Sequence, residues 1–264
     1  MGQSARRKAK FREQHPVCCF CGGLRPTESR DHQPGRAFFN NRHSPDDYVF
    51  PACHRCNAAS QDSEEILRVI AVPNTIDDSE NDRRRWRSVV SSVRRKHPHL
   101  IDSMFMNTRE KRNKLRQLGI APLPGDTITD VPVVKLDPAM WKPHIEMVGQ
   151  KLLLALHYQC FGKPVPLEGG LSLLFQTNTK LGEGSLTHKF SELTDLLAVP
   201  AHQNQRLGDQ FSIRWSHRTD PDIALWAVHL HMRIFFLGIT SSDENLAKLE
   251  HAKFFRPLFA DFDR

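Results

Sequence analysis

Four of the six cysteines fall into two Cys-x-x-Cys pairs, Cys18–Cys21 and Cys53–Cys56. Each pair at this spacing makes a knuckle, and two knuckles present four thiolates to one tetrahedral zinc ion. Cys21 is followed by Gly22 and Gly23, which lets the first turn close tightly. Disulfide pairing is the competing use of these cysteines, but the basic, mostly polar N-terminus does not read as a secretion signal, and thiols stay reduced inside the cell. Cys19 in place of Cys18 would leave only one intervening residue. Cys160 stands far along the chain and is expected to be a buried free thiol.

The gap from Cys21 to Cys53 is longer than the roughly 15–20 residues of a simple zinc ribbon. It carries Asp31-His32-Gln33-Pro34-Gly35-Arg36, and Asn57 follows the second pair directly in Cys53-His54-Arg55-Cys56-Asn57. Taken together, this order and spacing resembles the HNH, or His-Me finger, endonucleases over roughly residues 15–62, about a fifth of the chain. Phrases such as DH-x-P-x-x-x-F and PAC-x-x-CN are similar to bacterial and phage members of that group. The resemblance implies a zinc-stabilised ββα-metal finger, in which Asp31-His32 ends the first strand and Asn57 starts the helix after the second knuckle.

It also implies the chemistry. Hydrolysis of a phosphodiester needs a base for the attacking water and a cation for the pentacoordinate phosphate. Carried over residue by residue, His32 is the general base, with an unperturbed pKa near ~6.5. Asp31, pointing to the opposite side of an extended segment, and Asn57 hold a divalent ion, Mg²⁺ or another hard metal. Cys18, Cys21, Cys53 and Cys56 hold the structural zinc. The family's usual bracing Asn on the second strand is missing from Ser44–Phe50; Asp46 and Asp47 could accept some of its hydrogen bonds, and Asn40 and Asn41 are alternatives. A finger that binds nucleic acid without cutting it is therefore the competing reading of the motif.

The other histidines carry plainer expectations. His54, inside the second knuckle, reads as exposed or as a phosphate contact, and His43 as a loop residue. His97 and His99 flank Pro98 at a helix end. His229 and His231 alternate with apolar residues on an expected strand and should face solvent or a domain interface. Arg36 is placed to contact a phosphate.

Elements must hold these residues in place, and the chain divides into three. Residues 1–75 form the finger domain, where Cys, His, Pro, Gly and Asn dominate and a metal supplies order that a small core does not. A helix capped by Asp62 or Ser63 follows the second knuckle. Residues 76–124 form a basic helical segment. Trp86, Val89, Val90 and Val93 make one helical stripe ending before Pro98, and a further helix runs over 102–118 to Gly119. Residues 121–126 read as a linker. Residues 125–264 form a C-terminal domain whose role the sequence does not reveal. Its expected parts are an edge strand at 131–136, a helix opening at Asp137-Pro138 with a stripe of Ile145, Val148, Leu152, Leu156 and Gln159, and strands at 171–175, 211–215 and 226–234. The fold class is α+β, with an antiparallel sheet in the C-terminal domain.

The charge follows the same division. The 264 residues carry 37 Lys+Arg and 30 Asp+Glu, a formal charge of +7. Residues 81–118 hold twelve basic and three acidic side chains, and residues 1–12 hold five basic and no acidic ones. A basic clamp around the finger suits a polyanion, with Arg36, Arg83, Arg84, Arg87, Arg94, Arg95 and Lys96 as the expected nucleic-acid contacts. No apolar run approaches the ~18–20 residues of a membrane span, so a soluble, cytoplasmic protein is expected. The expected function is a metal-dependent HNH endonuclease acting on DNA, with RNA also open. The alternative is a non-catalytic zinc-containing nucleic-acid-binding module. An enzyme with its active site in the second half lacks support, since no nucleophile elbow or phosphate loop occurs there. A second copy or a partner protein would dock through the C-terminal domain.

Overall fold

The structure, a computed structural model, describes residues 2–45, 47–72, 80–117, 119, 121, 127–128, 133–177, 202–205, 207–231, 233–243, 254–255 and 257–258. It is α+β. A basic helix α1 (Gln3–Gln14) leads into the first cysteine turn. Strands β1 (Ser29–His32) and β2 (Val49–Ala52) pair antiparallel, with Asp31 opposite Phe50 and His32 opposite Val49. Helix α2 (His54–Ala59) follows at once, then α3 (Gln61–Ala71). Two strands and a short helix thus bracket the cysteines.

The next helices are α4 (Glu80–Lys96), α5 (Pro98–Met104) and α6 (Thr108–Gln117). Helix α4 ends before Pro98, as its stripe and the proline predict. The single helix expected over 102–118 is instead two. Asn107 Oδ1 accepts from the Glu110 N–H at 2.9 Å and Glu110 Oε2 accepts from the Asn107 N–H at 3.0 Å, a reciprocal cap that starts a new helix. Helix α3 is capped before the expected Asp62 or Ser63, with Ser60 at the cap position, and the Ser60 hydroxyl donates to the Glu64 carboxylate.

Helix α7 (Pro138–Phe161) opens as Asp137-Pro138 predicts, with Asp137 Oδ1 accepting from the Ala139 N–H at 3.0 Å. Ile145, Val148, Leu152 and Leu156 are buried and Gln159 is exposed. Leu153, Leu154 and Ala155 are buried too, so residues 151–157 of this helix are covered all round rather than on one stripe. The reason is its central place: one side lies on the C-terminal sheet, the other on α3 and the finger. That sheet is antiparallel, built from β3 (Gly170–Thr177), β4 (His202–Gln205), β5 (Phe211–Thr219), β6 (Asp222–Leu230), β7 (Ile234–Ser241) and β8 (Phe254–Phe255) in the order β4-β5-β6-β7-β3-β8. The period-two run expected over 226–234 breaks at His231, whose φ of 50° turns the chain into β7.

Of the edge strand expected at 131–136, residues 133–136 are described and are not a strand; Lys135 N–H instead donates to Met104 O at 3.0 Å. Residues 131–132 and most of the expected linker at 121–126 lie outside the described residues. One hydrophobic core runs from Cys18 and Phe20 through Ile66 and Leu67 to Leu152, Phe211 and Phe236, continuous across the boundaries drawn at 75 and 125. No helix among the described residues is long and apolar enough to cross a membrane.

Candidate metal centre and the strand that carries Asp31 and His32

The Sγ atoms of Cys18, Cys21, Cys53 and Cys56 all lie within 4.8 Å of one another, and all four residues are buried. Gly22 and Gly23 take φ of 66° and 80°, the left-handed angles the first knuckle needs. Phe20 N–H donates to Cys18 Sγ and Cys56 N–H to Cys53 Sγ, both at 3.4 Å, so backbone donors already point at two of the sulfurs. Hydrogen bonds from Cys18 and Cys56 lower the Cys21 thiol to about 4, while the same contacts push Cys18 and Cys56 upward. Four ionised thiols in this space need a cation, and the donor set fits zinc: tetrahedral zinc with bonds of about 2.3 Å spaces its sulfurs by less than this spread. Cys19 is buried outside the cluster, where burial raises its thiol well above the ordinary value. Cys160 is half-buried rather than buried, and burial lifts it to about 11.

Side chains alternate along β1. Arg30 is exposed and His32 half-buried on one face, while Ser29 and the 8% exposed Asp31 take the other. That second face packs inward. Asp31 Oδ2 lies 2.6 Å from the Nζ of Lys151, a residue of α7 with no exposed surface. Ser60 Oγ is 2.7 Å and the Asn57 backbone oxygen 3.5 Å from the same ammonium, and Glu64 Oε1 is 3.9 Å away. Gln33 Nε2 donates to Asp31 Oδ2 at 3.4 Å and to Glu64 Oε1 at 3.2 Å. Burial raises the Glu64 carboxyl above its ordinary value, offset in part by Lys151. The Asn57 side chain donates to Ser29 Oγ at 3.0 Å.

Of the expected pair of divalent-metal ligands, Asp31 is engaged by an ammonium group, and the Asn57 amide nitrogen is oriented by a serine. A hard dication beside a buried ammonium at this distance is repelled by it. This arrangement does not fit a divalent ion at Asp31. Sequence reasoning missed Lys151, Ser60 and Glu64, because nothing local marks a lysine in an apolar helix as the partner of a strand far upstream.

The loop after Asp31-His32 is held by an arginine of α4. Arg85 donates to Phe38 O at 2.8 Å, Phe39 O at 3.0 Å and Ala37 O at 3.3 Å, and also reaches the Asn40 side chain. Asn40 N–H donates to Gln210 Oε1 at 2.8 Å, and Asn41 takes φ of 52°. Arg36 is exposed in a short 3₁₀ turn, and His43 is exposed in the loop. His54 is exposed at the start of α2, its N–H donating to Glu28 Oε2 at 2.8 Å. His97 sits at the end of α4 and the exposed His99 in α5. His229 is half-buried with its ring centroid 4.5 Å from that of Phe235, and His231 is buried at the contact with the finger loop.

The expected nucleic-acid contacts separate into two kinds. Arg94 pairs with Asp102 at 2.5 Å, Lys96 pairs with Glu65, and Arg87 lies 4.0 Å from Glu80. Arg84 and Arg95 are exposed. The Arg83 side chain lies outside the described residues. Basic residues of the 1–12 half of the expected clamp gather elsewhere: Arg7, Lys8 and Arg12, with Arg30 and His54, line a cleft of about 670 Å³ between α1 and β1, with Glu28 as its one carboxylate. Arg30 stands over the Phe11 ring at 5.5 Å, and Arg12 donates to Glu28 O at 2.5 Å.

No family model, curated protein or solved structure matches this chain.

Proposed function

We propose that the chain is an HNH-type endonuclease that hydrolyses DNA phosphodiester bonds, with His32 as the general base. The observation that carries this reading is the position of His32. It ends β1 beside the paired β2, on the same face as Arg30, which lines the basic cleft, while the hairpin's ends run into the four-cysteine cluster. Phosphates lying in the cleft bring a scissile bond along the outer face of β1. There the imidazole takes a proton from water as its oxygen attacks phosphorus, the P–O bond to the leaving sugar oxygen breaks, that oxygen keeps the electron pair and takes a proton from solvent, and the cationic side chains offset the charge on the non-bridging oxygens. Zinc in the cysteine cluster holds the hairpin and α2 in register. No step is assigned to a divalent ion at Asp31 and Asn57.

A second reading, a non-catalytic zinc-containing nucleic-acid-binding module, is favoured by the Lys151–Asp31 pair, which closes the face that the resemblance reserves for metal. Incubation with supercoiled plasmid, linear duplex and RNA, in Mg²⁺, Mn²⁺ or EDTA, separates the two. The nuclease reading expects cleavage that falls at least ~100-fold in His32→Ala. Cleavage undiminished by that substitution sinks the mechanism. Binding without cleavage under every metal supports the second reading.

A further inference from the structure

The oxygens around Lys151 form the kind of shell that a hard cation takes. A carboxylate (Asp31 Oδ2), a hydroxyl (Ser60 Oγ) and a backbone carbonyl (Asn57 O) lie at 2.6, 2.7 and 3.5 Å from Nζ, with a second carboxylate, Glu64 Oε1, at 3.9 Å. Oxygen donors of these types ligate Mg²⁺ and Ca²⁺. The two shortest distances are those of charge-assisted hydrogen bonds from an ammonium, longer than the about 2.0–2.1 Å of Mg²⁺ to oxygen. Lys151 has no exposed surface, so its charge is balanced by these groups and not by water. Its position is over-determined: neighbouring Leu152, Leu153 and Leu154 are buried on α7, and the Phe20 ring centroid lies 5.1 Å from Nζ.

We propose that Lys151 is the resident cation of the Asp31 site: the cage of Asp31, Ser60, Glu64 and the Asn57 carbonyl takes a lysine ammonium supplied by the C-terminal domain, and excludes divalent metal while it is there. The cage is then a contact that joins finger to C-terminal domain rather than an open metal centre. The inference does not rest on the nuclease reading. If the chain cuts DNA, it does so without a divalent ion on Asp31.

The test uses the full-length, zinc-loaded chain and Mn²⁺ as the probe, followed by electron paramagnetic resonance. Wild type is expected to show no Mn²⁺ binding that Asp31→Asn abolishes. Lys151→Ala is expected to gain one Mn²⁺ per chain, at least tenfold tighter than any binding to wild type, and Lys151→Ala/Asp31→Asn to lose it again. A wild-type Mn²⁺ site that depends on Asp31 overturns the proposal, as does a folded Lys151→Ala that gains none. Should Lys151→Ala fail to fold, lysine acetylation of wild type read by mass spectrometry decides. Lys151 is expected to stay unmodified with and without 10 mM-scale Mn²⁺, and Mn²⁺-dependent labelling of Lys151 overturns the proposal. Plasmid cleavage is scored separately. His32-dependent cleavage without Asp31-dependent Mn²⁺ upholds both readings, and no cleavage with Lys151 protected removes the nuclease reading alone.

Discussion

His231 Nε2 lies 2.6 Å from the backbone oxygen of Phe38, so the turn between β6 and β7 grips the loop that follows Asp31-His32. A carbonyl only accepts, so Nε2 carries the proton. The same oxygen accepts from Arg85 at 2.8 Å. One carbonyl is thus held from two distant parts of the chain.

Sharing an acceptor makes the two donors interdependent. Arg85→Ala and His231→Ala are each expected to cost about 1–3 kcal/mol, because a charged donor or a buried hydrogen bond is lost. The double variant departs from additivity by at least ~0.5 kcal/mol. Chemical denaturation of the four proteins measures this; strict additivity would show that the two bonds do not meet at one atom.

The cysteine cluster predicts metal content by residue. Elemental analysis should find one zinc per chain in wild type and in Cys19→Ser, and a loss of zinc in Cys21→Ser and Cys56→Ser. A strong chelator should lower the melting temperature of wild type and leave the zinc-free variants unchanged. Retention of zinc by Cys21→Ser would remove it from the ligand set.

Acid should act partly through His157. Burial pushes its pKa down to about 4, with Asp222 opposing and Lys163 reinforcing the shift. The unfolded chain, with a histidine near ~6.5, binds the proton first, so the contribution is complete above about pH 6.5 and is lost as pH falls towards 4. Over that window wild type should lose about 3 kcal/mol more than His157→Phe, at about 1.4 kcal/mol per pH unit. Parallel stability–pH curves for the two proteins would refute this.

Where α7 meets the sheet, two glycines admit no side chain. A Cβ on Gly238 falls 2.2 Å from Leu153 Cδ1 and 3.1 Å from Ser172 O, and one on Gly149 falls 2.6 Å from Leu173 Cδ2. Gly238→Ala is expected to destabilise by about 1–3 kcal/mol through overpacking. Thermal melts of Gly238→Ala beside Gly208→Ala, where the added carbon meets nothing within 4 Å, separate crowding from backbone strain.

Nucleic-acid binding should depend on the cleft more than on the paired charges of α4. Arg7→Gln/Lys8→Gln is expected to reduce the slope of log affinity against log salt by about 2, nearly independent of DNA sequence. Arg94→Gln/Lys96→Gln, whose charges already meet Asp102 and Glu65, should change it by less than ~1. Fluorescence anisotropy across several salt concentrations tests this, and the reverse order would return the interface to α4.

What proved readable in the sequence was local. The two-residue gap in each cysteine pair, the proline that ends α4, the Asp137-Pro138 start of α7 and the alternation at the start of β5 all follow from spacings within one or two turns of chain, whereas β6 is buried on both faces. The reciprocal cap of Asn107 and Glu110 was equally local and was read through, because the basic residues around it continue a helical composition on both sides. The basic segment divides in the fold for another reason. Net charge counts every guanidinium alike, but the fold ties Arg85 to loop carbonyls and Arg94 to a carboxylate, leaving fewer charges for a partner.

Sequence alone singled out the four cysteines that cluster and placed Asp31 and His32 on opposite faces of a strand, since alternation is a property of the extended backbone. It did not determine what each face meets. Only the tertiary structure brought Lys151 to Asp31 and His231 and Arg85 to Phe38. The backbone sets the direction in which a side chain points, but packing of elements distant in the chain decides what lies there. In this protein, that packing puts an ammonium group beside the carboxylate and a basic cleft beside Arg30 of the same strand.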